Sequence, residues 1–103
     1  MSENTRKDND QLFEDLMGRD GKTKYIRKII EELTELQLAI LHYQDGKVGH
    51  LQIKEEMADV LLQIEKLAYA MDISDEDLST AYFKKLHQLE EIVYYDPNRK
   101  DEK

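Results

Sequence analysis

The sequence predicts an all-α protein, and three features of the chain lead to that prediction. Apolar residues recur at helical spacing along most of the chain, and no stretch alternates apolar and polar residues as a half-buried strand would. Only four glycines and one proline occur in 103 residues, so long helices meet few interruptions. We therefore expect a helical hairpin with flanking helices, whose four-helix-bundle-like core is completed by dimerisation.

The domain organisation is simple, because 103 residues suffice for one domain with a modest core. Residues 1–9 carry no apolar pattern beyond the initiator methionine and are expected to form a flexible N-terminal arm. Residues 10–95 are expected to form the single all-α domain, and residues 96–103 a polar C-terminal tail.

The first two helices are delimited by a glycine-containing break. QLFEDLM (residues 11–17) has the spacing of a short amphipathic helix, which GRDG (residues 18–21) is expected to stop. The second helix is predicted to begin with Thr23 as its N-cap and to end near Gln44.

A turn and a capping serine delimit the last two helices. DGKVG (residues 45–49) predicts a turn, and the third helix should run from His50 to about Met71. Ser74 is a good N-cap for the fourth helix, which has three acidic residues in its first turn and should continue to about Tyr94.

The short turn makes the second and third helices an antiparallel hairpin. Leu38 and Leu62 are apolar residues on otherwise polar arcs of these helices, so they are expected to contact another chain. We expect a homodimer or a dimer of dimers.

Charge and composition exclude several classes of function. The net charge of −8 opposes binding to a nucleic-acid backbone or to an anionic membrane. No apolar run approaches the length of a membrane span, no signal-peptide pattern opens the chain, and cysteine is absent, so we expect a cytoplasmic protein. An anionic substrate would need a cation between itself and the acidic groups.

Two acidic pairs recur at a spacing of 24 residues, one on each arm of the hairpin. The shift places Glu32 on Glu56 and Glu35 on Asp59, and each pair borders the apolar arc of its helix. If the hairpin folds about Lys47, Glu35 and Asp59 each lie about 18 Å from the turn at 1.5 Å per residue. The four carboxylates should therefore converge at one margin of the core.

Four converging carboxylates repel one another unless they take up protons or bind a cation. Mg²⁺ prefers such oxygen ligands, and Mn²⁺ is a possible substitute. The alternative interpretation is an ordinary solvated acidic surface, which is what most isolated acidic pairs on helices are.

The sequence resembles a known family, the MazG-type all-α nucleoside triphosphate pyrophosphohydrolases. EELTE (31–35) and EEMADVL (55–61) match its ExxE and ExxD motifs. ADVLLQIEKLA (58–68) and MDISDEDL (71–78) are similar to its surrounding segments, and the resemblance covers roughly residues 24–90.

The resemblance implies hydrolysis of a nucleoside triphosphate, commonly a deoxy or non-canonical one, to the monophosphate and pyrophosphate. It also implies action as dimers and a role in nucleotide-pool house-cleaning. One of the carboxylates, or a neighbour such as Glu31 or Glu55, would orient the attacking water. The implied catalytic and metal-binding residues are Glu32, Glu35, Glu56 and Asp59.

Four further residues are candidates for substrate binding. Lys28 lies one turn before Glu32, either to meet a phosphate or to form a surface ion pair with Glu32. His42 and Gln63 continue the two carboxylate stripes, where a base or sugar would be contacted. Lys85 lies where the family tends to have a lysine near the phosphates, although the asparagine and arginine that often follow that lysine are absent here.

Two alternatives stay open at the level of sequence. A phosphoribosyl-ATP pyrophosphohydrolase shares the fold and the metal, but the segment after Asp59 lacks the Tyr-His element typical of that enzyme. A non-catalytic helical interaction module would need no metal, so metal dependence separates it from both enzymes.

Overall fold

The computed structural model describes the backbone of residues 5–95 and the side chains from residue 9 onward. No strand occurs in that part of the chain, so the all-α prediction is confirmed. The four helices are α1 (Thr5–Asp20), α2 (Lys22–Gln44), α3 (His50–Ala70) and α4 (Asp75–Glu90), and a π-helical segment (Glu91–Tyr95) follows α4.

The chain divides between residues 72 and 73 into two compact units. The first unit contains α1, α2 and α3, and the second contains α4 with the π-helical segment. The prediction of a single domain over residues 10–95 stays a prediction.

Helix α1 is longer than its sequence pattern predicted. It begins at Thr5, within the expected N-terminal arm, and continues through Gly18 to Asp20. Residues 5–10 contain no helix breaker, and an isolated glycine costs a helix only about 1 kcal/mol. Residues 1–4 of the expected arm lie outside the described residues.

Gly21 forms the corner between α1 and α2. Its N–H donates to the carbonyl of Met17 at 2.8 Å, and its own carbonyl accepts from the N–H of Tyr25 at 3.0 Å. Its backbone has φ 86° and ψ 153°, a region that only glycine adopts readily. The prediction of Thr23 as N-cap is therefore wrong, because α2 begins at Lys22.

Helices α2 and α3 form the predicted antiparallel hairpin around residues 45–49. The Tyr25 hydroxyl on α2 donates to the backbone carbonyl of Lys66 on α3 at 2.8 Å. Tyr25 lies twenty residues before Asp45 and Lys66 twenty residues after Gly46, so the two arms are level about the Asp45–Gly46 bond. This centre lies one to two residues before the expected one at Lys47.

The core of the first unit lies at the end of the hairpin away from the turn. Phe13, Tyr25 and Ile29 are buried together, where α1 packs against α2 and α3. The Phe13 and Tyr69 rings are tilted with centroids 6.2 Å apart, and the Tyr69 hydroxyl donates to Glu14. Helix α1 therefore covers the open end of the hairpin.

Large apolar side chains stay exposed nearer the turn of the hairpin. Leu38 and Leu62, which the sequence singled out, are each 44% exposed. Leu41, Leu51, Met57 and Leu61 are also more than half exposed. Within the described residues, no helix has the length and apolar character that crossing a membrane requires.

In the second unit, Ser74 caps α4 as predicted. Its hydroxyl oxygen accepts a hydrogen bond from the backbone N–H of Asp77 at 3.0 Å. Regular α-helix ends at Glu90, four residues before the predicted end, and continues as the π-helical segment. The expected tail, residues 96–103, lies outside the described residues.

Candidate active site

Three of the four predicted carboxylates come together across the hairpin. Glu32 lies on α2, and Glu56 and Asp59 lie on α3. One oxygen atom of each can be chosen so that all three lie within 4.8 Å of one another. Glu32 and Glu56 are half-buried and Asp59 is exposed. We call these residues the carboxylate trio.

Glu35 lies outside the carboxylate trio. It is ten residues before Asp45, and Glu56 is ten residues after Gly46, so the two are level along the hairpin. Glu35 nevertheless lies one step farther around its helix from the apolar arc than Glu32, and its side chain is exposed. It remains one helical turn from Glu32.

Glu56 has one carboxylate oxygen that is hydrogen-bonded and one that is not. The Gln52 side-chain amide donates to Oε2 at 3.0 Å. Oε1 is buried and has no hydrogen-bond partner among the described residues. A buried acceptor without a partner costs about 1–3 kcal/mol, more when it is charged. A hard cation beside Glu32 and Asp59 would remove that cost, so the donor set fits Mg²⁺.

Lys28 forms an ion pair with Glu32, one member of the carboxylate trio. Its ammonium lies 3.2 Å from Glu32 Oε2 and 3.9 Å from Glu31 Oε1. The hydrogen bond and charge of Glu32 raise the pKa of Lys28, so the lysine stays protonated at neutral pH. This cation lies between the carboxylate trio and a neighbouring cleft.

The cleft lies among α1, α2 and α3, with a volume of about 520 Å³. Five of its ten lining residues are cationic and only Asp20 and Glu31 are acidic, in a chain whose net charge is −8. We call it the basic cleft. Its cationic residues are Arg19, Lys24, Arg27, Lys28 and Lys66.

Lys66 lies at the inner wall of the basic cleft and is only 4% exposed. Its ammonium lies 5.0 Å from the centroid of the Tyr25 ring, a cation–π contact. Burial and the charge of Lys28 lower the pKa of Lys66. Burial, with a contribution from Tyr69, raises the pKa of Tyr25 to about 12, so its hydroxyl stays a proton donor.

Sequence reasoning missed Lys66 as a site residue, although a signal was present. Asp59, Gln63 and Lys66 follow one another at i, i+4 and i+7, so the stripe that pointed to Gln63 continues one turn further to Lys66. Helix α1 supplies Arg19 to the same cleft, and no local pattern pairs that helix with α3.

The predicted substrate-binding residues are separated by the structure. Lys28 and Gln63 line the basic cleft, and Gln63 is 5% exposed with its Oε1 atom buried and unpartnered. His42 is exposed in the last turn of α2, ten residues or about 15 Å along the helix from Glu32, and does not line the cleft. Lys85 is exposed on α4 in the second unit, and its phosphate contact stays a prediction.

Comparison with known proteins identifies one family. The family model of the MazG nucleotide pyrophosphohydrolase domain matches residues 20–93, a span that includes α2, α3 and α4 with all four predicted carboxylates. No curated protein and no solved structure matches the chain.

Proposed function

Because the chain belongs to the MazG nucleotide pyrophosphohydrolase domain family, we propose that it hydrolyses a deoxynucleoside or non-canonical nucleoside triphosphate to the monophosphate and pyrophosphate. The observation that supports the proposal is the carboxylate trio with the buried, unpartnered Oε1 atom of Glu56. Such an arrangement is costly in an isolated helical module and useful in an enzyme that works on phosphates. Nucleotide-pool house-cleaning is the role that this activity would serve.

The proposed cofactor is Mg²⁺, with Mn²⁺ as a substitute. Glu32, Glu56 and Asp59 would hold it, and Glu35 is one turn away as a fourth ligand. When bound, Mg²⁺ neutralises phosphate charge and lowers the pKa of a water molecule.

The side chains around the carboxylate trio have supporting roles in this proposal. Gln52 fixes the orientation of Glu56 through its hydrogen bond, and Lys28 fixes that of Glu32. Of the two glutamates next to the motifs, Glu31 lines the basic cleft whereas Glu55 does not. Either of them, or one of the four carboxylates of the motifs, would accept a proton from the attacking water.

We also propose that the chain works as a homodimer or a dimer of dimers. The exposed apolar residues of α2 and α3, including Leu38 and Leu62, support this.

A nucleotide panel with pyrophosphate detection tests the proposed function. We expect turnover of at least one deoxynucleoside or non-canonical triphosphate with millimolar Mg²⁺, and its loss in EDTA. Mg²⁺ should also raise the melting temperature of the free protein, because it binds only the folded carboxylate trio. Preference for phosphoribosyl-ATP would favour the related enzyme. If neither Mg²⁺ nor EDTA changes the melting curve and no nucleotide is turned over, the non-catalytic helical interaction module is the remaining interpretation.

A further inference from the structure

The basic cleft concentrates positive charge in a strongly acidic protein. Among the described residues, five lysines and arginines line it but only two acidic residues do, in a chain with 15 basic and 23 acidic residues. Arg19 is already paired, with Nε 2.8 Å from Asp20 Oδ1 and Nη2 3.0 Å from Oδ2. Lys28 is paired with Glu32. Lys24, Arg27 and Lys66 have no ion-pair partner among the residues that the structure describes.

Lys66 is the most unusual of these cations because it is buried as well as unpaired. Buried charges are normally paired, since desolvation of a lone ammonium is costly. The cation–π contact with Tyr25 offsets only part of that cost. An anion in the cleft would supply the missing partner.

Gln63 provides a second polar group at the same wall. It lies one turn before Lys66 on α3, is almost fully buried, and lines the cleft. Its amide can donate a hydrogen bond to an anionic oxygen. The wall therefore offers one cation and one neutral donor to the same ligand.

The position of this wall relative to the carboxylate trio fits a long phosphate chain. Gln63 and Lys66 lie four and seven residues after Asp59, which is about 6 Å and about 10 Å along α3. Lys28 lines the cleft and contacts Glu32 of the carboxylate trio. A phosphate chain that begins at the carboxylate trio would extend directly into the basic cleft.

A nucleobase fits the basic cleft less well. The Tyr25 ring is 1% exposed and has Lys66 over its face, so it offers no surface for stacking. Among the described residues that line the cleft, Leu16 alone has an aliphatic side chain.

We propose that the basic cleft binds the pyrophosphate portion of the substrate, with Lys66, Gln63, Lys24 and Arg27 as its contacts. This inference rests on the proposed function. In that reaction the oxygen of water bonds to the α-phosphorus, and the bond from that phosphorus to the oxygen bridging to the β-phosphorus breaks. The electron pair leaves on pyrophosphate, and the water proton passes to a carboxylate outside the cleft, because in-line attack places the water opposite the leaving group. The cations of the cleft stabilise the charge that develops on the leaving group.

Product inhibition tests the proposal, because the two products report on different parts of the site. The inhibition constants of inorganic pyrophosphate and of the nucleoside monophosphate are measured at fixed free Mg²⁺ with the best substrate of the panel. Lys66→Met keeps most of the length of the unbranched side chain and removes its charge. We expect this variant to raise the inhibition constant of pyrophosphate about tenfold or more. The inhibition constant of the nucleoside monophosphate should stay within about twofold of the wild-type value.

Lys54→Met is the matched control, because Lys54 is an exposed lysine of α3 that does not line the cleft. It should change neither constant. The rim variants Lys24→Gln and Arg27→Gln keep the test decisive if Lys66→Met does not fold, since both residues are exposed. Each should raise the pyrophosphate constant several-fold.

Two results would overturn the inference while the proposed function stands. In the first, the protein turns over a nucleotide, but the cleft variants raise the inhibition constant of the nucleoside monophosphate and not that of pyrophosphate. That result would place the nucleoside in the cleft. The other is turnover with both constants unchanged. A wild-type protein that turns over no nucleotide would fail the proposed function, and the leaving-group assignment would fail with it.

Discussion

At the scale of single residues, Glu56 shows the clearest conflict between the stability of the fold and the position of a charged side chain. Its carboxylate is half-buried, has one unpartnered buried oxygen and lies beside Glu32 and Asp59. In the absence of a cation, that oxygen is removed from water with no hydrogen bond to compensate, and two other carboxylates lie close to it. A residue in such a position stabilises the fold less than a neutral replacement would, so selection for function is the better explanation of its presence.

Replacement of Glu56 by glutamine separates a metal ligand from a structural residue. Glu56→Gln keeps the shape and can still accept the hydrogen bond from Gln52. The stability of the metal-free protein should be unchanged or higher, by up to about 1 kcal/mol, because one charge is removed from the carboxylate trio. Turnover with Mg²⁺ should fall about a hundredfold or more. The paired measurement is the metal-free melting temperature and turnover on the nucleotide panel.

Glu65→Gln is the control for this prediction, since Glu65 is also a half-buried acid on α3 but belongs neither to the carboxylate trio nor to the cleft lining. It should leave turnover close to the wild-type value. A destabilised Glu56→Gln protein with undiminished turnover would rule out a catalytic role for Glu56.

Single residues also show which parts of the candidate site could be predicted from the sequence. The repeat of the acidic pairs and their place beside the apolar arcs predicted that Glu32, Glu56 and Asp59 would meet, because helical geometry and an antiparallel hairpin suffice for that. The burial of Lys66 could not be predicted in the same way. It depends on Tyr25 from α2 and on α1 across the end of the hairpin, which are contacts of tertiary structure.

At the scale of elements, the periodicity of apolar residues predicted the helices better than it predicted the corner and the turn that connect them. The bounds of α3 and the Ser74 cap follow from apolar spacing and from a side chain with a local hydrogen bond. The start of α2 depends on the backbone angles of Gly21, which the apolar pattern does not report. The level of the two hairpin arms likewise depends on the conformation of the turn, where Gly46 has φ 75°.

The corner at Gly21 gives a prediction about stability. Gly21→Ala should destabilise the protein by about 1–3 kcal/mol, because an L-residue is strained at φ 86° and ψ 153° even though open space surrounds the added methyl group. Gly18→Ala is the matched control within the preceding helix. It should stabilise the protein by about 0.5–1 kcal/mol, since that position is helical and also open.

Chemical denaturation of the two variants measures both effects. Opposite signs are expected, with Gly21→Ala below the wild-type protein and Gly18→Ala above it. Equal and small effects would mean that the α1–α2 corner does not require a glycine.

At the scale of the whole molecule, family membership and physical reasoning supply different things. The family match over residues 20–93 establishes membership of the MazG nucleotide pyrophosphohydrolase domain family, which apolar periodicity alone does not give. The structure adds the arrangement of charge: an acidic molecule with the carboxylate trio next to the basic cleft. Such a juxtaposition suits a ligand that arrives as a metal–phosphate complex, since each charge on it meets its opposite.

The exposed apolar surface near the turn of the hairpin leads to the last prediction, that of a homodimer or a larger assembly. Exposed leucines scattered singly are ordinary, but Leu38, Leu41, Leu61 and Leu62 all lie on two adjacent helices. We expect sedimentation at micromolar concentration to show no stable monomer. Leu38→Lys should shift the protein toward monomer because burial of an unpaired ammonium is costly, whereas the control Gln37→Lys, at an exposed polar position, should not. A wild-type monomer would show that these leucines stay in contact with solvent, and the proposed assembly would then be wrong.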